Sequence, residues 1–124
     1  MGERVLIVDD NPTNLKLVAY LVKAKGYEVD TAADADAALA AIAVNRPRVI
    51  LMDLQLPGVD GLELTRRLKA DPATRDVVII AVTAYAMKGD QEKALEAGCD
   101  DYVTKPIDTR ALPELIARYA GARG

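Results

Sequence analysis

Three runs, VLIV at residues 5–8, VILM at 49–52 and VVIIAV at 77–82, are apolar at every position. A strand with one face in water alternates apolar and polar residues, whereas an unbroken apolar run must be covered on both faces. That is the situation of inner strands in a parallel sheet flanked by helices. Between and around these runs lie stretches of ten or more residues with helical periodicity, which is the pattern of repeated βα units.

Residues 4–8 read as the first strand. The helix after it buries Leu15, Val18, Ala19 and Val22 on one face, with Asn11 as its cap, Pro12 in its first turn and Gly26 as its stop. Residues 28–31 read as a weaker, edge-like strand. A slim helix follows, marked by Ala35, Ala38, Leu39 and Ile42. Strands at 48–52 and 77–82 flank a helix capped by Asp60, anchored by Leu64 and Leu68 and ended by Asp71-Pro72. For the fourth helix Gly89 weakens the start, Asp90 offers a cap and Gly98 closes the end, so a marginal helix is a candidate moving part. A short run, DYVT at 101–104, precedes the last helix at about 110–119. There Pro113 leaves two readings open: an irregular first turn, or a start near Pro113 itself. Residues 120–124 read as a loose tail, so the expectation is one domain over residues 1–120. Right-handed crossovers then give a doubly wound (βα)₅ fold, a five-stranded parallel sheet in the order 2-1-3-4-5.

In such a sheet, ligands bind outside the carboxyl ends of the strands. Asp9 and Asp10 follow the first apolar run, Asp53 the third strand, Thr83 the fourth and Lys105 the fifth. Taken singly these are ordinary residues: aspartates cap helices, threonine suits strands, and a lysine can end a strand in solvent. Asp53 is the more telling, because a carboxylate at the end of a buried strand needs a metal, a lysine or water to stay ionised. Together they predict one pocket of three carboxylates, a hydroxyl and an ammonium, suited to a divalent cation and a phosphoryl group.

Composition narrows the chemistry. None of the 124 residues is histidine. This excludes imidazole metal sites, histidine acid–base catalysis and a phosphohistidine within these residues. Sixteen basic against nineteen acidic residues give a net charge of −3 without a basic stripe, so direct contact with nucleic acid or an anionic membrane is not expected. Cys99 is alone and the first apolar run is too short for a signal peptide, which together suit a reducing cytoplasm.

Four segments, VDDN at 8–11, MDLQLPGVDG at 52–61, VTA at 82–84 and GCDDYVTKP at 98–106, occur in an order and spacing that resemble the receiver (CheY-like, flavodoxin-like) domain of two-component response regulators. The resemblance covers essentially the whole chain. The segment AYAMKGD at 84–90 looks most like single-domain cell-cycle regulators and receivers of hybrid histidine kinases.

The resemblance implies that Asp53 is the phosphoacceptor, taking a phosphoryl group from a phosphohistidine on a histidine kinase or histidine phosphotransfer protein. It implies that Asp10 binds Mg²⁺ directly, Asp9 through water, and that the Gln55 carbonyl completes the protein ligands around Asp53. Lys105 pairs with Asp53 and then with a phosphoryl oxygen, while the Thr83 hydroxyl takes another. Tyr102 turns inward as Thr83 moves, in contrast to a plain strand residue with its hydroxyl at the surface. A downstream protein then reads the face of the fourth helix, fifth strand and fifth helix, with the receiver either monomeric or dimerising on phosphorylation. A cis Lys105-Pro106 bond would turn the lysine inward. Ile107 and Pro106, with Leu15, contact a phosphotransfer partner. Tyr85 either hinders attacking water or widens the docking face.

Two rival functions differ in kind. A Mg²⁺-dependent phosphohydrolase is disfavoured because Gln55 stands where a second catalytic carboxylate belongs. A constitutive interaction module needs no lysine aimed at aspartates.

Overall fold

The computed structural model describes residues 3–54, 61–83, 88–105 and 107–120, excluding the side chains of residues 88–90 and 120. Its elements alternate without exception: β1 Arg4–Val8, α1 Pro12–Lys23, β2 Glu28–Ala32, α2 Ala35–Val44, β3 Val49–Asp53, α3 Gly61–Ala70, β4 Val78–Thr83, α4 Lys88–Ala97, β5 Asp101–Thr104 and α5 Ala111–Ala120. The five strands are parallel and ordered β2-β1-β3-β4-β5, as expected.

The apolar runs lie in the inner strands, and strand alternation divides them between two cores. Leu6, Val8, Ile50, Met52, Ile79 and Ala81 face α2, α3 and α4. Val5, Ile7, Val49, Leu51, Ile80 and Val82 face α1 and α5, where Val18, Val22, Leu112 and Ile116 meet them. Each buried aliphatic side chain is worth about 1.5–3 kcal/mol, which is why the runs cannot be exposed on either side.

Local chemistry fixes the ends. The Asn11 side chain accepts from the Thr13 and Asn14 backbone N–H groups at 2.9 and 3.2 Å, with Pro12 in the first turn. Gly26, at φ +91°, turns the chain from α1 into β2. Asp34 caps α2 through the Ala37 N–H at 2.8 Å. Leu39 departs from the expected stripe: Ala35, Ala38 and Ile42 are buried, whereas Leu39 is 37% exposed because it lies off the face that meets the sheet.

One helix start differs from expectation, and another decides between two readings that the sequence left open. The α4 backbone is helical from Lys88, so Asp90 lies inside the helix and not at its cap. Gly89 costs such a helix about 1 kcal/mol without stopping it. In α5, Asp108 caps an irregular first turn, accepting from Arg110 and Ala111 N–H at 2.9 and 3.1 Å while Leu112 N–H reaches its carbonyl at 3.0 Å. Pro113 has no N–H to return to Thr109, so the regular helix begins at Ala111. The Asp60 cap, Tyr85, Pro106 with its peptide isomer, and the tail at 121–124 lie outside the described residues. No described helix is long and apolar enough to cross a membrane.

Candidate functional site

Asp53 and Thr83 are the last ladder residues of their strands, one position later than the apolar runs suggest. Asp53 pairs with Val82 and Thr83 with Thr104. Both are buried, at 2% and 3% exposure. Asp9 follows β1 directly, and its N–H donates to the Ala32 carbonyl at 3.0 Å. Its carboxylate accepts from the Asn11 N–H at 2.9 Å, so the residue that caps α1 also orients Asp9. Lys105 N–H donates to the Thr83 carbonyl at 2.8 Å, carrying the β4–β5 ladder one residue further and aligning Lys105 with the site.

These placements converge. One carboxylate oxygen from each of Asp9, Asp10 and Asp53 lies within 4.8 Å of the others; Asp9 and Asp53 are buried and Asp10 is exposed. Lys105 Nζ donates to Asp53 Oδ2 at 3.1 Å, the lysine side chain being 22% exposed. Burial raises the Asp9 carboxyl above its ordinary value; the Asn11 N–H opposes this, the Asp53 charge adds to it and the Lys105 charge opposes it. Three carboxylates facing one ammonium leave an excess of negative charge, and oxygen-only donors of this kind suit a hard divalent cation. Gln55, the fourth expected metal ligand, lies outside the described residues.

Tyr102 is partly buried and packs on the core beneath α2, α3 and α4. It stands opposite Ala81 in the ladder, two residues before Thr104, which stands opposite Thr83. Alternation therefore puts Tyr102 and Thr83 on the same side of the sheet as diagonal neighbours.

Two contributors were not visible in the sequence. Gly61 N–H donates to the Leu54 carbonyl at 3.3 Å, so α3 begins against the backbone of Asp53 and Leu54. A Cβ at position 61 would sit 2.6 Å from the Asp53 carbonyl oxygen. The only hint in the sequence is the glycine itself, where the third helix opens. The second contributor is the Asn11 N–H on Asp9, which cap chemistry alone does not announce.

Residues 5–117 match the response regulator receiver domain family. The chain belongs to that family. This receiver is 46% identical over 121 residues to the polar-differentiation response regulator DivK of Brucella anthropi, with 98% of each chain covered. Its fold matches the receiver domain of the sensor histidine kinase PA1611 from Pseudomonas aeruginosa at a TM-score of 0.88 and 38% identity, covering 98% of this chain and 100% of that one. That structure carries a magnesium ion coordinated in its active-site cleft. The chemotaxis protein CheY4 of Vibrio cholerae matches at a TM-score of 0.90 and 26% identity, over 96% and 99% of the two chains. Resemblance to cell-cycle regulators and to kinase receivers is thus borne out, and so is the CheY-like fold. The receiver is a phosphoryl-accepting response-regulator domain, a signalling module and not a classical enzyme.

Proposed function

We propose that Asp53 is the residue phosphorylated, with a histidine kinase or histidine phosphotransfer protein as donor. The observation that carries this reading is the buried Asp53 carboxylate held 3.1 Å from Lys105 Nζ, with oxygens of Asp9 and Asp10 within 4.8 Å. An Asp53 oxygen attacks the phosphorus of the donor's phosphohistidine; the P–O bond forms as the P–N bond breaks, and the imidazole nitrogen keeps the electron pair. The donor histidine lies outside these residues, since none of the 124 is histidine.

Asp9, Asp10 and Asp53 would hold Mg²⁺, with the Gln55 carbonyl as a further ligand. When bound, the ion offsets the repulsion between carboxylates and an anionic phosphoryl group. Lys105 holds Asp53 in place before transfer and offers its ammonium to a phosphoryl oxygen afterwards. The Thr83 hydroxyl, at the end of the neighbouring strand, donates to another. Phosphorylation adds nearly two charges and three acceptors, and the movement of Thr83 toward them makes room for Tyr102. The shared side of the sheet supports that pairing. A downstream protein would read the change on the α4–β5–α5 face, biasing the equilibrium by its differential affinity. The domain occupies residues 1–120 in this reading and works in the cytoplasm, as a monomer or as a dimer formed on phosphorylation.

The test is incubation with Mg²⁺ and acetyl phosphate followed by intact mass measurement. One added phosphoryl group is expected, absent from Asp53→Asn and absent without the metal. No adduct, with beryllofluoride also failing to bind, overturns the reading in favour of a constitutive interaction module.

A further inference from the structure

The opposite end of the sheet carries a second charged feature. Glu3, Arg4, Arg46, Pro47 and Arg48 line a cleft of about 320 Å³ where β1 and β3 begin. Arg48 N–H donates to the Arg4 carbonyl at 2.8 Å, extending the ladder one step before the Val5–Val49 pair. The alternation that sends Leu6 and Ile50 to the α2 side of the sheet puts Arg4 and Arg48 on that side too, on adjacent strands.

Like charges on neighbouring strands repel. The structure compensates one of them: Arg4 spends its two arms on Asp30 at 2.9 Å and Glu28 at 3.2 Å. Among the described residues, the guanidinium groups of Arg46 and Arg48 make no ion pair and no hydrogen bond. Glu3 is the one carboxylate lining the cleft, against three arginines. The segment is also rigid. Pro47 is buried, and Arg48 is bonded on both sides, through its N–H to Arg4 and through its carbonyl to the Val78 N–H at 3.1 Å. Arg46 and Arg48 are exposed on this held backbone, and planar guanidinium forks are the side chains best matched to phosphate oxygens.

We propose that this cleft binds a small polyphosphate anion, either free or as the phosphate tail of a nucleotide, through Arg46 and Arg48. Two open forks call for more acceptor oxygens than one carboxylate supplies, and an anion lying between them offsets the uncompensated charges of Arg46 and Arg48. The site is independent of the acidic pocket. Five residues of strand, about 17 Å at about 3.3 Å per residue, separate Arg48 from Asp53.

That separation makes the test direct. Inorganic pyrophosphate, and in a parallel arm ADP, is titrated into the ¹⁵N-labelled chain without Mg²⁺ while amide shifts are followed. The expected result is saturable shifts at residues 3, 4, 45, 46, 48 and 49 with none at 9, 10 and 53. Affinity should fall about tenfold or more in Arg46→Ala/Arg48→Ala, the loss of charge-assisted hydrogen bonds, and stay unchanged in Lys93→Ala on the exposed face of α4. Equal affinity for pyrophosphate and ADP assigns a free polyphosphate; tighter ADP binding assigns a nucleotide. Shifts that do not saturate, or Lys93→Ala weakening binding as much as the arginine pair, overturn the proposal.

Discussion

Replacing Gly61 with alanine sets two effects of known sign against each other. In a helix, alanine is favoured over glycine by about 1 kcal/mol, and Gly61 has no positive φ to strain. Propensity alone therefore predicts a more stable protein. The space says otherwise. A Cβ there would lie 2.6 Å from the Asp53 carbonyl oxygen and 2.8 Å from Leu54 Cα, and both are backbone atoms that cannot rotate aside. Ordinary contact begins near 3.4 Å, so the closer approach is short by 3.4 − 2.6 = 0.8 Å. Overpacking of a core costs about 1–3 kcal/mol, and a collision with backbone belongs at the upper end. About 3 less about 1 leaves a net loss of about 2 kcal/mol, or roughly 8 °C in Tm for a domain of this size. Urea and thermal denaturation followed by circular dichroism measure it. Because the displaced carbonyl belongs to Asp53, phosphorylation by acetyl phosphate should also slow. Gly26→Ala is the comparison: nothing lies within 4 Å of its Cβ, yet φ is +91°, so it should lose about 1–2 kcal/mol from conformation alone and leave phosphorylation unchanged. A Gly61→Ala protein as stable as the parent would refute the packing argument.

Further consequences can be measured on single variants. Burial raises the Asp9 carboxyl, so its charge opposes folding at neutral pH, and that opposition disappears as pH falls through its raised folded value. Asp9→Asn should therefore raise the metal-free Tm at pH 7, converge with the parent in acid, and weaken stabilisation by Mg²⁺. Asp108 behaves oppositely: the Ala111 and Arg110 N–H groups hold it below its ordinary value. Its contribution is present above 3.8 and lost as pH falls through the depressed folded value, so an advantage over Asp108→Asn at pH 6 should vanish in an acid Tm series. Lys69 Nζ ties α3 to the Val77 carbonyl at 2.8 Å and to Asp100 Oδ2 at 2.9 Å. Lys69→Met keeps the stem that packs over Gly98 but removes these bonds, and should cost about 2 kcal/mol in urea unfolding.

The fold was legible because its signals were redundant. Unbroken apolar runs demanded strands covered on both faces, and their alternation with helices left one sheet order. The convergence of Asp9, Asp10, Asp53 and Lys105 followed from topology, since residues after parallel strands share one end of the sheet. Boundaries were less legible. Hydropathy stops at Met52 and Val82, but the ladder's hydrogen bonds continue through Asp53 and Thr83, because backbone pairing does not depend on side-chain polarity. Leu39 misled for a related reason: an alanine-rich helix offers little contrast between its faces. Pro113 left two readings open, and the irregular first turn prevailed because Asp108 satisfies the N–H groups that the helix start leaves over. The Gly61 contact and the Lys69 ties depend on how distant segments approach one another, which no local pattern encodes.

Phosphorylation is expected to place the phosphoryl group on Asp53. Phosphorylating the protein, reducing the acyl phosphate with borohydride and mapping the peptides by mass tests it most directly. Homoserine at position 53 and unmodified aspartate at 9 and 10 are expected. Reduction at either of those positions, with Asp53 intact, would contradict it.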